Sequence, residues 1–125
     1  MNRRSFLTLT ATGAVALGAG RLAAGGHGRL GTFSGAARYG ISGTAEVAGN
    51  QVNLLDDFRF GNAPDPKVAL GRDGYDPKTL MGLLKNKNGS SSYSIPAGID
   101  PSQYNEVWIW CERYNVPLGV AKLGS

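Results

Sequence analysis

The chain has 125 residues, 19 of them glycine, with one cysteine, one histidine and a formal net charge of +4. A single cysteine cannot form a disulfide within the chain, so no such bond stabilises the fold. The one histidine, His27, lies in a glycine-rich stretch near the start, where we expect a solvated side chain. A Ser-His-Asp or Cys-His nucleophile within the folded part is therefore excluded, and no Gly-x-Ser-x-Gly motif is present.

The first 24 residues have the three parts of a bacterial export signal. Arg3 and Arg4 form the basic start, an uncharged run rich in Ala, Gly, Leu and Thr occupies residues 8–20, and small residues surround Ala24. The paired arginines resemble the twin-arginine type of signal, which is read by a receptor. The apolar run is well short of the roughly 20 residues that a membrane-spanning helix needs. We therefore expect cleavage and release.

This reading divides the chain into a cleavable signal (1–24), a flexible spacer (25–30) and one domain (31–125). Cleavage removes three basic and no acidic residues, which leaves ten Lys+Arg against nine Asp+Glu, or a net charge of +1. No basic cluster remains to follow a phosphate backbone, so nucleic-acid binding is not expected. The released domain is expected to be periplasmic or extracellular, with no membrane span.

Turn-forming residues recur about every eight to twelve positions after the spacer, and the segments between them favour a period of two. This pattern predicts an all-β fold, a single small antiparallel β-sandwich or barrel-like domain. The expected strands are residues 33–39, 42–47, 51–58, 67–70, 92–95, 106–112 and 116–123. Gly49-Asn50 predicts a tight hairpin turn.

The segments between these strands are predicted as loops or short turns. Residues 61–66 contain two prolines and cannot be a central strand, since proline lacks a ladder donor. A long connection is expected over residues 71–79, and a turn over 86–90. Residues 80–84 fit a short strand or a helical turn, and residues 99–104 fit a short helical turn or a loop.

Residues 107–119 hold both tryptophans and the only cysteine. Residues two apart share a face of a strand, so Cys111 should lie with Val107 and Ile109, while Trp108 and Trp110 point the other way. A free cysteine in aliphatic company is ordinarily buried and inert. An unpaired cysteine in an exported protein is otherwise reactive or bonded to another chain.

A reactive Cys111 could be supported by Arg113. If the strand continues, Arg113 shares the Cys111 face at about 7 Å along the strand. At that distance a guanidinium would favour the thiolate. The support fails if the strand ends at Cys111 or if Arg113 turns to solvent. The tryptophan face must be covered, or it forms an interaction patch.

Several segments together resemble the electron-transfer DM domain, also called the DM-thirteen domain. They are residues 52–58 (VNLLDDF), 63–70 (APDPKVAL), 80–85 (LMGLLK), Gly89, 93–96 (YSIP), Tyr104, 107–111 (VWIWC) and 116–119 (VPLG), within residues 29–123. The resemblance implies an extracytoplasmic β-rich domain that serves in electron transfer or in the oxidative modification of surface proteins. It also implies that Cys111 is the hallmark cysteine, as a bare thiol or as a ligand to a prosthetic group such as haem.

The cofactor is unknown from the residues alone, and haem is a minority candidate. Thiolates bind haem iron, but the chain has no Cys-x-x-Cys-His motif for covalent attachment. Met81 is a conceivable second ligand, although a core role is the ordinary one for methionine. No metal site is expected, because Asn62, Asp56, Asp57 and Asp65 lack the regular alternate spacing of a calcium loop.

Two functions follow from these observations. The first is an exported redox or electron-transfer accessory, rather than a stand-alone enzyme, that acts through Cys111 with a separate redox partner protein. Arg113, Trp108 and Trp110 would support the cysteine. The second is a non-enzymatic β module that binds a protein or envelope component through the tryptophan face or the proline-rich loop.

Overall fold

The computed structural model describes residues 28–124, which fold into eight antiparallel strands of one curled sheet. The strands are β1 (Arg29–Ser34), β2 (Thr44–Ala48), β3 (Gln51–Leu54), β4 (Pro66–Gly71), β5 (Tyr75–Asp76), β6 (Ser91–Ser94), β7 (Glu106–Cys111) and β8 (Val116–Lys122). Their order across the sheet is β5-β4-β7-β8-β1-β2-β3-β6. The predicted all-β class is confirmed.

Short helical turns are the only helical elements of residues 28–124, at Ala37–Tyr39, Pro77–Thr79 and Pro101–Gln103. The last of these agrees with the helical turn or loop expected over residues 99–104. Within the described residues no helix is long and apolar enough to cross a membrane. The predicted signal and most of the predicted spacer lie outside the described residues.

The core lies on one face of the curled sheet and is built from alternate residues of the strands. Strand β7 shows the pattern most clearly, because Val107, Ile109 and Cys111 are buried while the residues between them are half-buried. Phe33 packs edge-on against Phe58 with ring centroids 5.4 Å apart. Other large buried side chains include Phe60, Tyr93, Leu54, Leu70 and Leu118. A period of two therefore places the apolar residues as the sequence predicts.

The first strand is Arg29–Ser34, so the prediction of a strand over residues 33–39 is wrong. Arg29 anchors the true strand, because its guanidinium donates hydrogen bonds of 2.7 Å to the carbonyl oxygens of Tyr104 and Pro101. The chain then leaves the sheet at Gly35, and the turn Ala37–Tyr39 ends at Gly40 with φ of +61°. The contacts of Arg29 are with residues more than 70 positions later, so the sequence around Arg29 carries no pattern that predicts a strand there.

The hairpin predicted at Gly49-Asn50 is confirmed. Ala48 of β2 pairs with Gln51 of β3, so the loop has two residues. Gly49 has φ of +57° and Asn50 does not have a positive φ, which fits a type II′ turn with glycine at its first central position. Strand β3 ends at Leu54, earlier than predicted, because Asp57 folds back and accepts hydrogen bonds from the Thr44 backbone and hydroxyl.

Strand β8 contains a bulge that shapes the surface beside β7. Pro117 pairs with Trp110 and Gly119 with Ile109, so Leu118 is the extra residue. Leu118 is buried at 1% exposure, and Gly119 is buried as well. The bulge therefore turns two consecutive residues away from solvent and changes the direction of β8.

Replacing Ile109 with alanine should lower the free energy of unfolding by about 2–5 kcal/mol, because it opens a cavity under the central strand. Ile109 is fully buried, whereas Leu83 is 57% exposed and supplies the matched control. Urea denaturation of Ile109→Ala and Leu83→Ala measures the difference. Equal losses in the two variants would contradict the assignment of Ile109 to the core face.

Candidate functional site

Strand β7 separates the cysteine from the tryptophans, as its alternation predicts. It lies between β4 and β8 and pairs with both. Its inner side chains belong to the core, whereas Trp108 and Trp110 are half-buried on the outer face. The two candidate elements of the site are therefore on opposite sides of one strand.

Cys111 is the last residue of β7 and is 1% exposed. It pairs with Val116 on one side and with Pro66 on the other. Its thiol donates a hydrogen bond to the carbonyl oxygen of Pro64, with Sγ and O 2.9 Å apart. The proline-rich loop predicted over residues 61–66 thus covers the sulfur. Cys111 packs as a small core residue, and its redox role stays a prediction.

Arg113 does not share the face of Cys111. The strand ends at Cys111, and residues 112–115 form a turn in which Asn115 has φ of +54°. Arg113 is exposed on that turn. The condition for Arg113 to support the cysteine, that the strand continue past Cys111, is not met, because the turn into β8 comes directly after the cysteine. The guanidinium is therefore not placed along the strand to favour a thiolate.

An aromatic cluster lies on the outer face of the sheet and is formed by Tyr75, Trp108 and Trp110. Tyr75 stacks on Trp110 with ring centroids 3.9 Å apart and an interplanar angle of 12°. Trp108 meets Trp110 edge-on at 5.9 Å and 78°. Ala69 of β4 pairs with Trp108 and is fully buried on this face. The tryptophan face is thus partly covered by its own aromatic neighbours.

Tyr75 was not a candidate from the sequence, because it lies in the segment expected to be an irregular connection. That segment instead forms β5, which pairs with β4 through Leu70 and Gly71. Burial raises the pKa of Tyr75, and the nearby carboxylate of Glu112 raises it further. The available signal was one aromatic residue beside glycine, which is too weak to predict a strand of two residues.

Glu106 holds Trp108 in place from within the sheet. It is 3% exposed, and its Oε1 accepts hydrogen bonds of 3.0 Å from the Trp108 indole and from the Gly74 backbone. Lys122 Nζ lies 3.5 Å from the other carboxylate oxygen. A buried carboxylate needs such partners to offset its loss of hydration. The absence of a side chain at Gly71 leaves room for the indole, since a Cβ there would run into it.

Charged residues form the rim of the aromatic cluster at the end of β7. Lys67 Nζ lies 2.5 Å from Glu112 Oε1 and 3.5 Å from Asp65 Oδ1. The hydrogen bond to Glu112 raises the pKa of Lys67. Exposed ion pairs of this kind contribute little to stability. These charged side chains form a polar rim around the apolar rings of the aromatic cluster.

A cleft of about 450 Å³ opens beside Trp108, over the bulge of β8. Residues 116–120 form its floor, and the turn that carries Arg38 and Tyr39 forms one wall. The guanidinium carbon of Arg38 lies 5.0 Å from the centre of the Tyr39 ring. No local pattern connects this turn with the tryptophans, because the turn lies some 70 residues earlier in the chain.

Haem does not fit the surroundings of Cys111 in this conformation. An axial ligand must present its sulfur to an open face, whereas this thiol is covered and already hydrogen-bonded to Pro64. Met81 packs against the core as a partly buried residue.

The oxygen-bearing side chains from which the sequence predicts no calcium site have separate partners. Asp57 binds Thr44, Asp65 pairs with Lys67, and the Asn62 side chain accepts from Lys87. Residues 28–124 contain no group of three His, Cys, Asp or Glu side chains able to hold a metal ion.

The folded protein should react with a thiol reagent much more slowly than the unfolded protein, because Cys111 must first lose the cover of Pro64. Absorbance of the released thiol product measures both rates. A matched control is Leu83→Cys in a Cys111→Ser background, where the exposed thiol should react at nearly the same rate in both states. Equal rates for Cys111 in the folded and unfolded protein would contradict its burial.

Stability should depend on pH through the contact between Tyr104 and Asp76, which ties β5 to the segment before β7. The Tyr104 hydroxyl donates a 2.7 Å hydrogen bond to Asp76. This bond lowers the pKa of Asp76 from its ordinary 3.8 and raises the pKa of Tyr104 from its ordinary 10.0. A lowered carboxyl pKa stabilises the fold above about 3.8, and a raised tyrosine pKa stabilises it below about 10.

Tyr104→Phe should therefore be less stable than the wild type at neutral pH. The difference should shrink as the pH falls below the ordinary carboxyl pKa and Asp76 becomes protonated. Urea denaturation from pH 3 to pH 9 measures this trend. A difference that stays constant over the whole range would show that the contact does not control the ionisation of Asp76.

Comparison with known proteins gives one family. No curated protein matches the chain, and no solved structure matches it. The model of the family described as Electron transfer DM13 matches residues 32–123, from within β1 to the residue after β8. The match covers well over half of the chain and includes Cys111 and the aromatic cluster. The chain therefore belongs to the Electron transfer DM13 family.

Proposed function

We propose that this chain is an exported electron-transfer accessory that exchanges electrons with a separate redox protein, with Cys111 as its redox-active group. Membership of an electron-transfer family supports the general role. The observation that carries the specific proposal is the adjacency of Cys111 and Trp110 in β7. Consecutive residues on opposite faces give a short covalent path between the buried sulfur and the outer surface.

The position of Cys111 favours electron exchange over thiol–disulfide exchange. A disulfide exchange requires direct approach of a second sulfur to the thiolate. At 1% exposure Cys111 offers no such approach. Electrons need no open channel, and the indole of Trp110 extends from the strand toward solvent. A partner that contacts the aromatic cluster would touch Trp110, the residue directly before Cys111 in β7.

Oxidation of the thiol also releases its proton, and the structure sets a condition on that step. The carbonyl oxygen of Pro64 accepts the thiol hydrogen bond, but an amide carbonyl is too weak a base to keep the proton. The proton must therefore pass to water. Redox use of Cys111 requires the loop at Pro64 to move far enough for water to reach the sulfur.

The aromatic cluster is the part of the surface best suited to the partner. Trp110 and Trp108 are half-buried and surrounded by the polar rim of Lys67 and Glu112. An apolar centre with a polar rim is the usual organisation of a protein interface, and redox encounters use small ones. The paired arginines and apolar run at the start of the sequence support export to the periplasm or beyond.

Voltammetry of the immobilised mature domain tests the role of Cys111. The wild type should give a redox wave that Cys111→Ser loses, while Leu30→Ala keeps it, because Leu30 is 49% exposed and lies on β1, which pairs with β8 and β2 rather than with β7. Trp110→Leu should keep the wave but slow the exchange of electrons, since the path to the sulfur loses its indole. A wave that persists in Cys111→Ser would show that another group carries the electrons.

A second function, a non-enzymatic binding module, is favoured by the burial of Cys111 together with the aromatic cluster at the surface. Under this alternative Cys111→Ser reduces stability but leaves binding of the protein or envelope component intact. Trp110→Leu would abolish that binding. The Cys111→Ser variant therefore separates the functions, because only the electron-transfer function requires the sulfur.

A further inference from the structure

We propose that the cleft beside Trp108 binds a small planar aromatic molecule that carries an acidic group, of the aryl carboxylate class. This binding site does not depend on the proposed electron transfer, because neither Cys111 nor Pro64, which accepts the hydrogen bond of its thiol, lines the cleft. The cleft volume of about 450 Å³ lies within the range of about 300–1,000 Å³ typical of small-molecule sites.

Two glycines let the wall of the cleft pack onto its floor. A Cβ at Gly119 would clash with the Ile41 side chain, and a Cβ at Gly35 would clash with the Leu118 carbonyl oxygen. Ile41 therefore packs directly over the bulge of β8, which holds the turn Ala37–Tyr39 in place. The cleft is formed by close backbone packing, so its shape exists before any ligand arrives.

An aromatic ligand suits the walls of the cleft. Trp108 and Tyr39 both line it, and Val120 and Pro117 add apolar surface. The indole of Trp108 cannot turn freely, because its N–H is already donated to Glu106. Its ring is thus held beside the cleft, where a planar ligand can stack or meet it edge-on.

An acidic group on the ligand suits the charge of the cleft. Arg38 is the only charged residue among those that line it. Among residues 28–124, no carboxylate forms a salt bridge with Arg38, whose guanidinium lies over the Tyr39 ring. A guanidinium binds a carboxylate through two parallel hydrogen bonds, so it selects an anion over a neutral or cationic ring.

Titration of the mature domain with naphthoate tests the proposal, with naphthamide as the neutral probe of the same shape. Two-dimensional NMR separates the indole signals of Trp108 and Trp110. Naphthoate should bind saturably at one molecule per chain and shift the Trp108 signal most. Naphthamide and the Arg38→Gln variant should each show about tenfold weaker binding, the loss expected for one charge-assisted contact.

Two further variants locate the ligand. Val120→Trp should abolish naphthoate binding by filling the cleft from an outer-face position that leaves the core untouched. Arg72→Gln should bind as the wild type does, because Arg72 is exposed on the turn between β4 and β5 and does not line the cleft. NMR spectra without ligand confirm that each variant is folded.

Three results would overturn the proposal. Failure of naphthoate to saturate would show that the cleft is not a binding site for this class. If naphthamide bound as tightly as naphthoate, Arg38 would not select an anionic ligand. Unchanged binding in a folded Val120→Trp variant would place the ligand elsewhere on the domain. Absence of a voltammetric wave in the wild type would contradict the redox role of Cys111 and leave naphthoate binding unaffected, so the two proposals fail independently.

Discussion

Strand β7 pairs with a neighbour on each side, and this double pairing controls the direction of every side chain in it. A central strand cannot rotate without breaking both ladders, so its alternate residues are committed to opposite faces. The inner set closes the core, and the outer set forms the aromatic cluster with Tyr75. Cys111 takes its environment from the same constraint, since it belongs to the inner set and lies under the loop at Pro64.

Buried and half-buried polar groups position the elements around β7. The carboxylate of Glu106 joins the Trp108 indole to the Gly74 backbone, and the guanidinium of Arg29 joins β1 to the carbonyl oxygens before β7. Buried hydrogen-bonding groups that lose a partner are costly, so these contacts allow few alternative arrangements. Glu46 on β2 is 5% exposed and accepts a hydrogen bond from the Asn53 side chain, which joins β2 to β3 in the same way.

Family membership and local geometry constrain function at different levels. The family match supports electron transfer for the domain as a whole. The structure places the covered thiol of Cys111 on the inner face and the half-buried ring of Trp110, the preceding residue, on the outer face. This separation is compatible with electrons that pass through the strand, and it disfavours chemistry that needs direct contact with sulfur. Trp108 borders both the aromatic cluster and the cleft at Arg38, so the proposed partner surface and the proposed small-molecule site lie on one face of the sheet.

The sequence alone determined the all-β class, the two-residue hairpin at Gly49 and the opposite faces of Cys111 and Trp110. Each depends on the period of a strand or on the φ preference of one residue, which are local properties. Only the tertiary structure decided that β1 begins at Arg29, that β7 ends before Arg113, and that Tyr75 lies on Trp110. It also decided the burial of Glu106 and the cover of Cys111. These features depend on which distant segments meet, and a local pattern cannot encode contacts between residues tens of positions apart.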